Sequence, residues 1–90
     1  MYEISIEDDL KEVLKKFYKK NNATYEATMK KIEEIVNNPQ HYKPLRCDMK
    51  HIRRAHIGHF VLVFKIDENG KRVKFLGLDH HDNIYKKRYF

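Results

Sequence analysis

The sequence has little cysteine, glycine and proline and no long hydrophobic run, and each shortage excludes a class of protein. A single cysteine, Cys47, leaves no internal disulfide framework and no zinc motif built from several cysteines. Three Gly and two Pro in 90 residues argue against a linker-rich or repetitive chain. The longest apolar run, 60–64, is far shorter than the roughly 20 residues of a membrane-spanning helix. The acidic N-terminus lacks the apolar segment of a signal peptide, so we expect one cytosolic domain spanning residues 1–90.

Motifs that hold nucleotide phosphates or a catalytic serine are also missing. The sequence contains no Gly-x-Gly-x-x-Gly, no P-loop and no Gly-x-Ser-x-Gly turn. A zinc site in which His56 and His59 join His80 or His81 is an alternative. Against it, adjacent side chains on extended backbone diverge, and no His-x-x-x-His spacing is present. We therefore expect no metal and no cofactor.

Positive charge is concentrated in the second half of the chain. Residues 1–45 contain eight Lys and eight acidic residues, whereas residues 46–90 contain eleven Lys or Arg and five acidic residues, which accounts for the net charge of +6. All five Arg and all six His lie at or after position 41. This distribution indicates an anionic partner on one face, although a solvated basic surface is the alternative.

Two amphipathic helices are predicted in the first half. The first has apolar residues at the spacing of one helical face: Leu10, Val13, Leu14 and Phe17. Acidic residues precede this stripe and lysines follow it, as the helix dipole favours. The second helix starts with Asn22 as its predicted N-cap and ends before Pro39, which forbids continuation. So short a connection predicts an antiparallel helical hairpin.

The rest of the pattern predicts strands. One short strand at 2–6 precedes the helices, and three more follow them at 52–57, 59–66 and 72–78, ahead of a polar, basic tail. The order β-α-α-β-β-β predicts an α+β fold, in which the helical hairpin packs on one face of a twisted antiparallel sheet of about four strands. We expect the other face of the sheet to be open and to carry the functional site.

Arg54 and His56 are the first candidates for that site. Side chains alternate along a strand, so these two share a face while Arg53 points the other way. A guanidinium beside an imidazole can hold a phosphate and move a proton, whereas a polar edge strand with solubilising charges is the alternative. His80 and His81 follow the last strand, where they serve as ligands, as acid–base groups or simply as a polar loop.

Tyr85 lies among cations in the tail, within the sequence IYKKRYF. An aromatic ring in such a setting can stack on a nucleobase while the cations hold phosphates. Packing of the ring against the core is the alternative.

Four segments, taken in order, resemble the RelE toxins of type II toxin–antitoxin pairs, within the RelE/ParE superfamily. They are KIEEIVNNP at 31–39, KPLR at 43–46, IRRAHIGHF at 52–60 and DHHDNIYK at 79–86. The resemblance covers nearly the whole chain, and the last segment is similar to archaeal members in particular. It implies a compact RelE-like α+β fold with a concave sheet.

The resemblance also implies an activity. RelE-type toxins bind the ribosomal A site and cut the mRNA codon there without a metal. The 2′-OH of the RNA attacks the adjacent phosphorus and leaves a 2′,3′-cyclic phosphate. A member of this family would therefore be a ribosome-dependent endoribonuclease that inhibits translation. The matching positions make four residues the expected catalytic set: Arg54, His56, His81 and Tyr85.

The expected substrate-binding set surrounds these residues. The family's arginine in the loop before the basic strand falls near Arg46, and His80 lies beside the matched His81. The full expected substrate-binding set is Arg46, Arg53, His59, His80 and Lys86.

One departure from the family pattern keeps other functions open. RelE proteins commonly carry an arginine directly after an aromatic residue in the central strand, and here Phe60 is followed by Val61. Either the other cations compensate or the activity is weak or different. A ParE-like toxin, which shares the fold and binds DNA gyrase without cutting RNA, is one alternative. An inactive RNA-binding relative is another.

The resemblance further implies partners. A RelB-type antitoxin is expected to wrap around this chain in a hetero-oligomer, with a helix in an apolar groove. Its acidic residues are expected to meet the basic half of the chain and shield it from RNA. The ribosome and mRNA are the other expected partners, and no membrane is involved.

Overall fold

The chain folds in the order predicted from its sequence, followed by one further short helix. The computed structural model describes residues 2–46, 48–87 and 89. Its elements are β1 Glu3–Ile6, α1 Asp8–Lys20, α2 Asn22–Asn37, β2 Arg53–Ile57, β3 Phe60–Asp67, β4 Arg72–His80 and α3 His81–Ile84, with a 3₁₀ turn at Pro39–His41 between α2 and β2. In the described part of the chain, no helix has the length and apolar character that crossing a bilayer requires.

The four strands form one sheet in the order β1-β4-β3-β2. β2 pairs with β3, and β3 with β4, in antiparallel fashion. β1 runs parallel to β4, so the sheet is mixed rather than wholly antiparallel as expected. The long helical crossover between β1 and β2 makes the parallel pairing possible. The predicted α+β fold is confirmed.

The helical hairpin is joined at Asn21 rather than at the predicted cap, Asn22. The Asn21 side chain accepts a hydrogen bond from the Thr24 backbone N–H at 3.3 Å, and its own N–H donates to the carbonyl of Phe17. One residue therefore ends α1 and begins α2. Asn22 instead donates its side-chain amide to the carbonyl of Tyr18.

The main core lies between the helical hairpin and one face of the sheet. It contains Leu10, Leu14, Ile32, Ile35, Val36, Ala55, Ile57, Leu62, Phe64, Val73, Phe75 and Leu78. The Leu10 and Leu14 positions of the predicted α1 stripe are buried, as its periodicity requires.

The opposite face of the sheet is covered by a second apolar cluster, which we call the tail-side cluster. Its buried members are Leu45, Met49, Ile52, Val61, Val63 and Ile84. The connection at 42–52 and the C-terminal segment supply the residues that lie over β3. The expectation of an open face is therefore wrong, because these two segments carry enough apolar side chains to cover its middle. Polar side chains remain exposed at the ends of this face.

Candidate functional site

Four side chains predicted to be catalytic lie together at one end of the tail-side face. The Arg54 Nη1 atom is 3.0 Å from His56 Nε2. The ring of His56 lies nearly parallel to that of His81, with centroids 5.9 Å apart. The His81 ring contacts the Tyr85 ring edge-on at 5.1 Å. We call this group the Arg54 cluster, defined as Arg54, His56, His81 and Tyr85.

Local folding explains why Arg54 and His81, which are 27 positions apart in the sequence, lie in one cluster. Arg54 and His56 share a face of β2, as alternation predicts, while Ala55 and Ile57 face the main core. Gly58, at φ +60°, allows the tight turn into β3. The N–H of His81 donates to the carbonyl of His59 at 2.8 Å, which ties the start of α3 to that turn. The β3–β4 hairpin therefore brings His81, which follows β4, back to Arg54 and His56 on β2.

Ile84 and Tyr85 hold α3 against the sheet. Ile84 is fully buried in the tail-side cluster, and Tyr85 packs against the same cluster. A helix of one turn has almost no stability of its own, so its position depends on this packing. The orientation of His81 toward His56 therefore depends on Ile84.

The electrostatic environment favours a neutral His56. Partial burial, then the positive charge of Arg54, then the neighbouring His81 all lower the pKa of the His56 imidazole below its usual value of 6.5. Arg54 carries only N–H donors, so His56 Nε2 accepts in this contact, and its lone pair becomes available to take a proton once the guanidinium turns to a phosphate. His56 is therefore suited to act as a general base beside a cation that can hold a phosphate.

Arg54 is held in place by the connection that precedes β2. Its Nε donates to the carbonyl of Pro44 at 3.2 Å, and its backbone N–H donates to the carbonyl of Lys43. These bonds fix the stem of the side chain and direct Nη1 toward His56. Arg54 as a whole residue is only partly exposed, and its head group lies at the surface, where an anion can reach it.

Arg46, an expected substrate-binding residue, is engaged within the protein. Its Nη1 donates to the carbonyl of Tyr85 at 2.7 Å. Its Nε and Nη2 face the Asp48 carboxylate at 2.7 and 3.2 Å. Arg46 thus joins the connection to the C-terminal segment and fixes the backbone that carries Tyr85.

Arg53, a second expected substrate-binding residue, lies outside the Arg54 cluster. It projects to the opposite face of β2 and donates to the carbonyls of Gln40 at 3.1 Å and Tyr42 at 2.6 Å. These bonds satisfy carbonyls around the 3₁₀ turn that ends the helical hairpin. Arg53 therefore points away from the Arg54 cluster, as strand alternation predicts, and its role in substrate binding stays a prediction.

His59, His80 and Lys86 are exposed and do not enter the Arg54 cluster. The rings of His59 and His80 are nearly parallel at 6.2 Å, and His80 contacts Phe60, which packs against the main core. The His59–His80 pair therefore lies at the same end of the sheet as the Arg54 cluster, but on the side of the main core. Lys86 follows Tyr85 along the chain at the end of α3.

Val61 occupies the position directly opposite His56 in the β2–β3 pairing. It is fully buried in the tail-side cluster. An arginine there would lie beside His56. Val61 instead supplies packing and no charge, so the positive charge next to His56 comes from Arg54.

Sequence reasoning missed an ion pair that fastens the C-terminal segment. Lys87 Nζ lies 2.8 Å from Asp79 Oδ2. Partial burial opposes the charge of Asp79, but hydrogen bonds from Lys87, the His80 N–H and Asn83 outweigh it and lower the pKa of this carboxyl. The same pairing raises the pKa of Lys87. The pair arises only when the segment after α3 folds back, and no spacing in the sequence indicates that.

No grouping of three or more potential metal ligands occurs within residues 2–46, 48–87 and 89. The six histidines include two separate ring pairs, His56–His81 and His59–His80. The zinc alternative therefore has no ligand set in the described residues.

An apolar groove of about 640 Å³ lies on the other side of the molecule, between β1, α1 and α2. Lysines rim its apolar floor. Its lining residues are Ile6, Lys11, Leu14, Lys15, Tyr18, Lys19, Tyr25 and Met29. Tyr18 is 59% exposed, which is unusual for so large an aromatic side chain. The groove is built from the electrically neutral first half of the chain, not from the basic half expected to meet an antitoxin.

Comparison with known proteins identifies the family. The family model described as "ParE toxin of type II toxin-antitoxin system, parDE" matches residues 4–85. This chain belongs to that toxin family. It is 51% identical over 89 residues to the protein named "Putative toxin RelE4" from Methanocaldococcus jannaschii, across 98% of this chain and 95% of the relative. Membership of the RelE/ParE superfamily, predicted from four short segments, is confirmed.

Solved structures of toxin–antitoxin complexes share the fold of this toxin. The RelBE2 complex from Mycobacterium tuberculosis matches with a TM-score of 0.75 at 22% identity, over 89% of this chain and 98% of that chain. The archaeal RelE–RelB complex from Pyrococcus horikoshii matches with a TM-score of 0.69 at 17% identity, over 91% and 97% of the two chains. These matches show a RelE-like α+β fold, and the family model and the 51%-identical relative show a type II toxin.

Proposed function

We propose that this toxin is a ribosome-dependent endoribonuclease that cuts mRNA in the A site. The observation that carries the proposal is the convergence of Arg54, His56 and His81 at one end of the sheet. A guanidinium and two imidazoles can supply the positive charge, the base and the acid that metal-independent cleavage of RNA needs. A RelE-like fold and the resemblance to RelE toxins in the surrounding sequence support the same activity.

The mechanism assigns one role to each group. The neutral His56 imidazole takes the proton of the 2′-OH, whose oxygen then attacks the adjacent phosphorus. Arg54 stabilises the charge that develops on the phosphorane oxygens, because a guanidinium stays ionised and can bond two oxygens at once. His81 donates a proton to the departing 5′-oxygen. The products are a 2′,3′-cyclic phosphate and a 5′-OH, so the bonds and protons balance without a metal.

The other members of the expected site have supporting roles in this proposal. Tyr85 stacks on or orients a base next to the scissile phosphate. Arg46 positions Tyr85 through its carbonyl rather than binding the phosphate. Lys86, exposed beside Tyr85, contributes charge for the RNA backbone.

Val61 favours a second candidate function. With a buried valine opposite His56, the phosphate site has one cation fewer than RelE toxins commonly have. The matching family model is also described by the ParE name. A toxin that binds DNA gyrase and leaves RNA intact is therefore the alternative.

We also propose a RelB-type antitoxin as the partner that neutralises this toxin. The structural neighbours include RelE–RelB complexes. The lysine-rimmed apolar groove has the size and chemistry for an amphipathic helix with acidic flanks. Cytoplasmic location, where ribosomes and mRNA are present, follows from the proposed activity.

Incubation of the purified toxin with programmed ribosomes tests the proposal. Primer extension should show codon-specific cuts in the A site, and the 3′ ends should carry a cyclic phosphate. Addition of the cognate antitoxin should abolish the cuts. Intact mRNA together with inhibited gyrase supercoiling would instead establish the ParE-like function, and RNA binding without either effect would identify an inactive relative.

A further inference from the structure

The imidazole pair of His59 and His80 has features of a binding surface that the Arg54 cluster does not use. The two rings are nearly parallel, with an interplanar angle of 15° and centroids 6.2 Å apart. Both residues are exposed. Together they present flat, polarisable surface at the end of the sheet rather than a closed pocket.

A column of aromatic rings supports this pair from the core. The His80 ring contacts Phe60 edge-on at 6.0 Å, and Phe60 contacts Phe17 of α1 edge-on at 5.1 Å. His80 Nδ1 also accepts a hydrogen bond from the Asp82 N–H at 3.3 Å, which orients the ring at the start of α3. The platform is therefore held in place before any ligand arrives, which lowers the entropic cost of binding.

The side chains around the His59–His80 pair suit a nucleobase better than a phosphate. The Asp82 carboxylate lies 3.7 Å from His80 Nδ1 and 3.7 Å from His81 Nδ1. Carboxylate oxygens so placed can accept a hydrogen bond from an exocyclic amino group of a base, a donor that a phosphate lacks. An aromatic surface beside an acceptor of this kind is suited to stack on a base and contact its edge.

The pair is also close enough to the Arg54 cluster to act on the same RNA. The His59 carbonyl accepts the N–H of His81 at 2.8 Å, and the Asp82 carboxylate lies 3.7 Å from one ring nitrogen of each imidazole pair. The two pairs lie on opposite sides of the sheet end. A strand of RNA that crosses this end would place one phosphate at Arg54 and an adjoining base at His59.

We propose that His59 and His80 form a nucleobase-stacking site for the nucleotide next to the one cleaved. The inference rests on the proposed ribonuclease function for the path of the RNA. The stacking site itself, however, can be tested without cleavage.

The test uses two labelled oligonucleotides that cannot be cleaved because every 2′-oxygen is methylated. One carries bases and the other is abasic with the same backbone. Fluorescence anisotropy should show tighter binding of the base-bearing strand to the wild-type toxin. His59→Ala should reduce this preference by about 10-fold, the usual scale of one stacked base, whereas His59→Trp should preserve it. His51→Ala, which removes an exposed histidine elsewhere, serves as the matched control.

The outcomes separate this inference from the proposed function. Equal preference in the wild type and His59→Ala would overturn the stacking site, as would a wild-type toxin that binds neither strand. A base preference that depends on His59 in a toxin that fails to cut ribosomal mRNA would leave the stacking site standing and refute the nuclease function. The imidazole ring protons of His59 and His80 should also shift when the base-bearing strand is added, and the abasic strand should leave them in place.

Discussion

Replacement of Ile84 by alanine tests whether packing of α3 creates the candidate site. Ile84 is fully buried in the tail-side cluster, where Val61 and Val63 are also fully buried. Removing a buried isoleucine side chain beyond Cβ costs about 2–5 kcal/mol of unfolding free energy. The tail-side cluster is half the size of the main core, with six buried members against twelve among the described residues, so its surroundings relax more easily. We therefore expect the lower half of that range.

The consequence for the site differs from the consequence for stability. When α3 loosens, the His81 ring leaves its position beside His56, and one of the causes that lower the His56 pKa is removed. The pKa of His56 should rise toward its usual value. Ile35→Ala is the matched control, because Ile35 is an equally buried isoleucine on the far side of the sheet, in the main core. It should lose at least as much stability without moving the His56 pKa.

Urea unfolding and an NMR titration of the imidazole protons measure the two effects separately. A loss of about 2–3 kcal/mol lowers the melting temperature of a 90-residue domain by roughly 8–24 °C, at about 4–8 °C per kcal/mol. The folded fraction at 25 °C remains high if the wild type has a typical stability of about 5–15 kcal/mol. Ile84→Ala with wild-type stability would refute the assigned packing. Equal pKa changes in both variants would refute the link between Ile84 and the site.

Three further predictions concern single contacts. Arg54→Gln should raise the pKa of His56 in an NMR titration, because the positive charge beside it is removed. In the wild type the folded-state pKa of His56 is the lower one, so this group's contribution to the unfolding free energy is complete above about pH 6.5 and is lost as the pH falls through the folded-state pKa. Denaturation at several pH values should show that the variant loses less unfolding free energy than the wild type over that pH range. Gly77→Ala would place Cβ 2.7 Å from the Tyr89 hydroxyl and should cost about 1–3 kcal/mol, a loss that Tyr89→Phe should relieve in a thermal-melt cycle. Arg46→Ala should cost about 1.5–3 kcal/mol in urea unfolding, and Arg46→Lys should not restore it because lysine lacks the planar fork.

Each of these has its own contradicting result. An unchanged His56 titration in Arg54→Gln would mean that the guanidinium does not face the imidazole in solution. A double variant at Gly77 and Tyr89 that is no more stable than Gly77→Ala would place the clash elsewhere. Full rescue by Arg46→Lys would show that charge alone, rather than geometry, holds the C-terminal segment.

Periodicity was sufficient to predict the four strands, the helical hairpin and the residues that share a face, but not the one-turn helix α3. Alternation along β2 placed Arg54 and His56 together, and the structure shows them 3.0 Å apart. The 3.6-residue spacing placed Leu10 and Leu14 in the core. These are local properties of the chain, in which each side chain's direction follows from its own strand or helix.

Features that depend on how distant segments fold back were not predictable in the same way. The parallel pairing of β1 with β4 depends on the path of the helical crossover. The covered sheet face depends on Ile52 and Ile84 meeting over β3, although they are 32 positions apart. Substrate binding is predicted for Arg53, and no sequence pattern indicates its bonds to carbonyls 11 and 13 positions away.

The rate of mRNA cleavage on programmed ribosomes tests the central claim most directly, namely that Arg54, His56 and His81 act on one phosphate. Under single-turnover conditions, Arg54→Ala and His81→Ala should each slow cleavage by about 10² or more, the scale for one charge-stabilising or acid–base group. His51→Ala should cut at the wild-type rate, and circular dichroism should show that all variants are folded. Wild-type rates in both Arg54→Ala and His81→Ala would contradict the account.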